Sequence, residues 1–161
     1  MIYLATFGMD DPIRDNVKEN INLIASGNKE GTKEKGGINI RMVSGDHLFT
    51  CLAVALRTNL ISEAEKKEGG VALTGQEFRE SIGKYQKIWN DELGKFDIEF
   101  EDKIKFDKVR SKLRVLARAT EEDKLILVEG IRKAGGIVAM SGEGVSDAVA
   151  LKMADVGLCM G

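Results

Sequence analysis

Ile137-Val138-Ala139-Met140-Ser141-Gly142-Glu143-Gly144-Val145-Ser146-Asp147 is the stretch that decides the fold. Four apolar residues run without a break into a turn carrying two glycines, two hydroxyls and two acids. A short continuous apolar run is the pattern of a strand buried on both faces, as in a parallel sheet. Just upstream, Arg114 to Ala117 has the same character, and Thr120 with Asp123 marks the start of a helix. Leu125, Val128 and Ile131 give that helix an inner face, and Gly135-Gly136 closes it. Downstream, a short helix leads to a further strand, Val156 to Met160. Strands alternating with amphipathic helices define an α/β protein with a mainly parallel sheet.

The N-terminal half fits the same scheme. Tyr3 to Gly8 is expected to form a strand, and Asp11-Pro12 to open a helix, since proline in a first turn loses nothing by lacking its N–H. Ile13, Val17, Ile21 and Ile24 would bury one face of that helix, and Gly27 ends it. Asn28 to Gly37 has loop composition. A second strand, Ile38 to Val43, enters Ser44-Gly45-Asp46, and a helix follows with Leu48, Leu52, Ala55 and Leu56 on one side. A short strand at Val71 to Leu73, a short helix at Gln76 to Ile82 and a helix around Phe106 to Leu113 are also expected. Residues 84–112 form a charged insertion, with Trp89, Phe96 and Phe100 available to pin it to the body.

The chain has 161 residues, 43% of them hydrophobic and 31% charged, which suits one globular domain rather than a disordered segment. With 24 basic against 26 acidic side chains, it carries no excess charge to grip nucleic acid. No apolar stretch approaches the roughly 18 residues of a membrane span, and the N-terminus makes a poor signal peptide. Cys51 and Cys159 have no metal-ligand or disulfide spacing, so both are expected as small core hydrophobes in a reducing, cytosolic setting. His47, the single histidine, is expected at the start of a helix rather than as a general base.

Three polar clusters fall at strand C-terminal ends: Ser44 to Asp46, Arg118 to Lys124, and Ser141 to Asp147. Ligands of open α/β sheets bind outside those ends. Small residues and glycines expose backbone N–H groups that suit a phosphate oxygen, and Gly142 and Gly144 permit a tight turn around Glu143. Lys124 offers a compact positive charge, and carboxylates beside phosphate imply Mg²⁺. At successive strand ends, these groups point to phosphoryl chemistry.

Met140 to Lys152, with Ala154-Asp155-Val156-Gly157, resembles the TGDGxNDAPALKxADVG hinge motif of P-type ATPases. Asp11-Pro12-Ile13-Arg14 is similar to the family's DPxR, and Met42-Val43-Ser44-Gly45-Asp46 with Thr50 to MVTGDNxxTA. Leu113 to Lys124 resembles the stretch carrying the family's phosphate-site lysine, in a form closest to plasma-membrane-type calcium pumps. The four motifs keep the family's order and span nearly the whole chain. The resemblance implies a partial phosphorylation domain over residues 1–161, with the Rossmann-like three-layer fold of the haloacid dehalogenases. It implies ATP hydrolysis through an aspartyl-phosphate, coupled to cation transport, on the cytosolic face of a multi-pass membrane protein. By position, Ser44, Gly45, Asp46, Arg118, Lys124 and Ser146 match phosphate- or nucleotide-contacting residues. Lys124, Asp147 and Ser44 match catalytic positions, and Glu143 and Asp147 match Mg²⁺-binding acids.

The sequence also departs from the family. The nucleophile's DKTGT motif does not occur, and none of the Asp-Lys pairs at Asp102, Asp107 and Asp123 precedes Thr-Gly-Thr. By the resemblance, that first strand and the nucleotide-binding domain belong upstream of Met1. The sheet is then incomplete, and the isolated chain is expected to be inactive and prone to pairing at open strand edges. Glu143 stands for Asp, Ser146 for Asn, Val149 for Pro and His47 for Asn. The extra methylene of Glu143 moves its carboxylate by about 1 Å, a displacement that can cost roughly 10²-fold in rate. A slow or degenerate pump therefore stays open. So do a stand-alone module that binds nucleotide or a partner protein, and a soluble phosphatase of the same superfamily.

Overall fold

The computed structural model describes residues 2–27, 37–91 and 94–160. It is mixed α/β with mainly parallel sheets that do not close into one. Helix α1 (Val17–Ser26) is followed by β1 (Met42–Val43), α2 (Leu48–Arg57), α3 (Glu63–Glu68), β2 (Ala72–Thr74) and α4 (Gly75–Ile82). Next come β3 (Tyr85–Asn90), β4 (Lys95–Phe100), α5 (Lys103–Lys112), β5 (Val115–Ala117) and α6 (Glu121–Lys133). The chain then forms β6 (Ala139–Gly142), a 3-10 turn at Val145–Asp147, α7 (Ala148–Met153) and β7 (Val156–Cys159).

Strand β5 is central to a three-stranded parallel sheet, ordered β1-β5-β2. Its side chains alternate as strand geometry requires. Val115 and Ala117 enter a core with Cys51, Ala55, Ile61 and Val71. Leu116 enters the other core, with Phe78, Ile82, Phe106, Leu113 and the α6 run Leu125 to Val128. A second parallel pair, β6-β7, packs against α7, with Ala150 and Met153 buried beneath it.

The charged segment 84–112 contains an antiparallel pair, β3-β4, that its charged composition conceals. Tyr85 faces Phe100, Lys87 faces Ile98 and Trp89 faces Phe96. Ile98 is fully buried, and Phe100 stacks on Phe106 with ring centroids 4.4 Å apart. Lys133 on α6 donates to the Ile98 carbonyl at 2.6 Å. Phe96 and Phe100 both pack against the core that holds Leu125 to Val128, and so tie this segment to α6. Trp89 does not: it packs edge-on to Phe96 within the pair and stays 50% exposed.

Several sequence expectations need correction. Tyr3 to Gly8 forms no strand, and Ile2, Tyr3, Leu4, Phe7 and Met9 lie largely exposed. A short apolar segment becomes a strand only where a partner edge meets it, and none of the described strands does here. The first helix begins at Val17 rather than at Pro12 and contains no buried residue. Gly27 does end it, at φ 60°. Residues 28–36 of the expected loop lie outside the described residues. The second strand shrinks to Met42–Val43. Strand β6 starts at Ala139 and is not buried on both faces: Ile137 is 88% exposed. Its apolar run matches a central strand, but β7 is its sole described partner.

Candidate functional site

The loop after β1 is laced to the loop after β5. Ser44 N donates to the Leu116 carbonyl at 2.9 Å, which extends the parallel ladder by one residue. Ala119 N donates to the Ser44 carbonyl at 2.9 Å, and Arg118 N to the Asp46 carbonyl at 2.9 Å. The Ser44 hydroxyl accepts from Asp46 N at 3.1 Å. His47 caps α2, its Nδ1 accepting from Phe49 N at 3.3 Å, so the helix-start expectation holds. Cys51 is buried, as expected, and its thiol is pushed up, chiefly by that burial, whereas Cys159, at the end of β7, is exposed rather than in the core. Arg118 has φ 50°, a left-handed conformation uncommon for a residue with a Cβ. Its exposed side chain thus leaves the end of β5 beside Ser44 and Asp46.

The start of α6 is fixed independently. Thr120 and Asp123 form a capping box: Thr120 Oγ1 accepts from Asp123 N at 3.2 Å, while Asp123 Oδ2 accepts from Thr120 N at 2.9 Å. Asp123 is 0% exposed, and Arg79 Nη1 on α4 donates to both its oxygens at 2.6 Å. A Cβ on Gly75 would stand 2.4 Å from Asp123 Oδ2, so this approach needs glycine at the start of α4. Arg79 escaped notice in the sequence because nothing local marks its partner, 44 residues away.

From the next position of this anchored turn, Lys124 Nζ reaches Asp147 Oδ1 at 2.6 Å. Their side chains are 12% and 15% exposed, so the pair is largely shielded from water. Asp147 Oδ2 accepts from the backbone of Glu143 at 3.3 Å and of Gly144 at 3.5 Å. The Lys124 hydrogen bond is the main cause holding the Asp147 carboxyl below its usual range, against the opposing effect of burial. A Cβ on Gly142 would lie 2.7 Å from Asp147 Oδ2, so the turn closes over the carboxylate because Gly142 has no side chain. Asp155 steadies the loop's base: Oδ2 accepts from Val138 N at 2.8 Å and Oδ1 from Arg132 Nε at 3.1 Å.

The expected site residues are thus assembled in two groups. Ser44, Gly45 and Asp46 join Arg118 through backbone bonds, and Lys124 joins Asp147, Glu143 and Gly144. Glu143 and Ser146 are exposed. Glu143 and Asp147 are hard oxygen donors of the kind Mg²⁺ takes. Among the described residues no group of three or more His, Cys, Asp or Glu gathers as a metal cluster. The loop fits a metal through two carboxylates at most, one of them already bound by an ammonium group.

Such a unit, with polar turns at parallel strand ends and a lysine–carboxylate pair beside a glycine turn, belongs to the α/β class that works at strand C-terminal ends. No family model matches the chain. Comparison with curated proteins is more specific. The chain is 32% identical, over all 161 residues, to the plasma-membrane-type calcium-transporting ATPase 8 of Arabidopsis thaliana. It is 34% identical over 154 residues to calcium-transporting ATPase 2 of Saccharomyces cerevisiae. It is 37% identical over 163 residues to the plasma membrane calcium-transporting ATPase mca-1 of Caenorhabditis elegans. The matches cover 100%, 96% and 98% of this chain, but only 12%, 11% and 11% of those relatives. Over nearly its whole length the chain is thus similar to a segment of these calcium-transporting ATPases, and it spans only about one eighth of their length.

Proposed function

We propose that the chain is the phosphorylation-domain segment of an ATP-driven cation pump, with calcium as the transported ion. The observation that carries the proposal is the shielded Lys124–Asp147 pair, 2.6 Å apart, at the ends of two separate βα units. The whole-length likeness to proteins named as calcium-transporting ATPases supports the same conclusion. In the complete protein an upstream aspartate attacks the γ-phosphate of ATP and becomes the aspartyl-phosphate. The strand bearing it completes a three-layer, Rossmann-like sheet.

Lys124 offsets the charge that grows on the transferred oxygens, from a position fixed before the reaction, which is where electrostatic catalysis gains most. The Ser44 hydroxyl hydrogen-bonds one phosphoryl oxygen, while Gly45, Asp46, Arg118 and Ser146 contact phosphate or nucleotide. Asp147 orients Lys124 through Oδ1, which leaves Oδ2 as the oxygen for a metal. Mg²⁺, held by Glu143 and Asp147, would supply further neutralisation of the phosphoryl oxygens. The phosphorylated and free states then bias two arrangements of membrane helices, with this segment on the cytosolic face. Among the described residues no helix is long and apolar enough to cross a membrane. The isolated chain is inactive, because its catalysis needs the upstream aspartate.

Orthovanadate binding to the chain, followed by calorimetry, tests the phosphate-site assignment. Saturable binding that is lost in Lys124→Ala is the expected result. Binding of equal strength in wild type and variant would remove Lys124 from the role.

A further inference from the structure

The N-terminal ends of β2 and β5, opposite the polar turns described above, carry a separate concentration of charge. Arg114 N and Val115 N both donate to the Val71 carbonyl, at 2.8 and 3.0 Å, which fastens the entry of β5 to that of β2. Helix α5 runs into this end with five basic side chains and one acid, Asp107, in a chain whose net charge is −2. Arg110 takes Asp107. Arg41 donates to the carbonyls of Arg110 and Leu113 at 2.8 and 3.1 Å, and its guanidinium is held below its ordinary value first by burial, then by Arg114 and Arg110. These arginines thus act on one another as uncompensated positive charge.

A cleft of about 330 Å³ opens beside that end, between α4 and α5. Leu73 and Val109 give it an apolar wall, and Ser81, Lys108, Ser111 and Lys112 stand at its rim. Among the described residues no acid lines it. Lys108 and Lys112 are four residues apart, hence on one face of α5, where like charges repel. Neither ammonium group has an acid partner among the described residues. The Ser111 hydroxyl donates to the Lys108 carbonyl at 2.8 Å, while that of Ser81 is left to donate to a ligand. Two ammonium groups and a hydroxyl beside an apolar wall match a compact dianion carried on a carbon skeleton. A phosphate monoester has that chemistry, with close to two negative charges at neutral pH, where a carboxylate has one.

We propose that the cleft between α4 and α5 is a second anion site, at the other end of the strands from Lys124 and Asp147, and that it takes a phosphate monoester through Lys108, Lys112 and Ser81. The ester brings two negative charges to two lysines that otherwise repel, and its carbon skeleton lies on Leu73 and Val109. None of these residues belongs to the phosphoryl-transfer reading above, so the site stands independently of it. Two sources carry the same chemistry: a free phosphorylated metabolite, and the head of phosphatidic acid in a membrane.

The test titrates the 161-residue chain with glycerol phosphate and follows its backbone amide signals by NMR. Saturable shifts at Ser81, Ser111 and Lys112 are expected, whatever happens at Glu143 and Gly144, which report the Lys124 site. Replacing both cleft lysines, Lys108→Gln with Lys112→Gln, should weaken binding about tenfold, the size of two charge-assisted contacts at a solvated rim. Lys18→Gln with Lys103→Gln removes the same charge away from the cleft and should bind like wild type. Flotation with phosphatidylcholine vesicles, with and without phosphatidic acid, identifies the source. Binding of glycerol phosphate supports the site with a free ester as its ligand. Binding to phosphatidic-acid vesicles alone, with the same dependence on Lys108 and Lys112, supports it with the lipid head. Binding of neither overturns the proposal. So do shifts confined to Glu143 and Gly144, or equal losses in the two double variants, which would mean attraction to overall charge rather than to a cleft.

Discussion

Replacing Arg79 with alanine removes the only side-chain cation in contact with the buried Asp123 carboxylate among the described residues. Asp123 would keep two donors, Thr120 N at 2.9 Å and Thr120 Oγ1 at 2.8 Å, but lose both guanidinium contacts at 2.6 Å. Breaking a fully buried ion pair costs about 3–5 kcal/mol, because the remaining charge is left uncompensated. The Arg79 side chain is 36% exposed, so water recovers part of that loss and about 2–3 kcal/mol is expected. That is a large share of the ~5–15 kcal/mol that holds a typical domain together. Urea unfolding followed by circular dichroism measures it: the midpoint should fall while the slope stays constant. Asp123→Asn in the Arg79→Ala background should return part of the loss, giving a coupling energy of about 1 kcal/mol or more in the double-mutant cycle. A change below about 0.5 kcal/mol for Arg79→Ala, in the range of ordinary surface substitutions, would refute the account of how α6 is anchored.

Gly130→Ala should destabilise the chain despite alanine's helix propensity, since its Cβ would stand 2.2 Å from Phe106 Cζ. A gain of about 1 kcal/mol from propensity against overpacking of about 1–3 kcal/mol leaves a net loss, readable as a lower melting temperature. Stability should also fall with acid. Glu65 and Glu77 are held below their ordinary value of 4.5, first by the backbone N–H groups of Ser62 and Thr74 and then by their hydroxyls. Folded, they bind protons less readily than unfolded, so their contribution is complete above about pH 4.5 and disappears as pH drops through the lower folded values. Ser62→Ala and Thr74→Ala should flatten that part of the pH–stability curve. Finally, the exposed apolar strands β6 and β7, with Ile137, Val156, Leu158 and Met160 in solvent, should make the isolated chain self-associate. Size-exclusion chromatography with light scattering tests this, and sharply melting monomer would contradict it.

Sequence pattern located what local chemistry encodes. The Thr120–Asp123 spacing gave a capping box, Gly27 a left-handed helix end, and the Ser-Gly-acid turns their places after β1 and β6. The resemblance put Lys124 and Asp147 at one site but gave no sign that they pair with each other. Partners remote in sequence were not legible. Arg79 meets Asp123 across 44 positions, and Arg132 joins Asp155 across 23. Strands β3 and β4 were hidden because exposed positions such as Gln86, Lys87 and Glu99 gave the segment the composition of a solvated surface insertion. Tyr3 to Gly8 failed in the opposite sense, since its apolar character promised a strand but strand formation depends on an edge to pair with. For the same reason Ile137 lies in solvent at the head of a run that reads as core.

The central claim, that this chain is one segment of a pump whose phosphorylated aspartate lies before it, is tested most directly by sequencing the transcript upstream of the Met1 codon. The account predicts an open frame encoding Asp-Lys-Thr-Gly-Thr and membrane-spanning helices. In-frame stop codons immediately before Met1, with a functional start there, would contradict it.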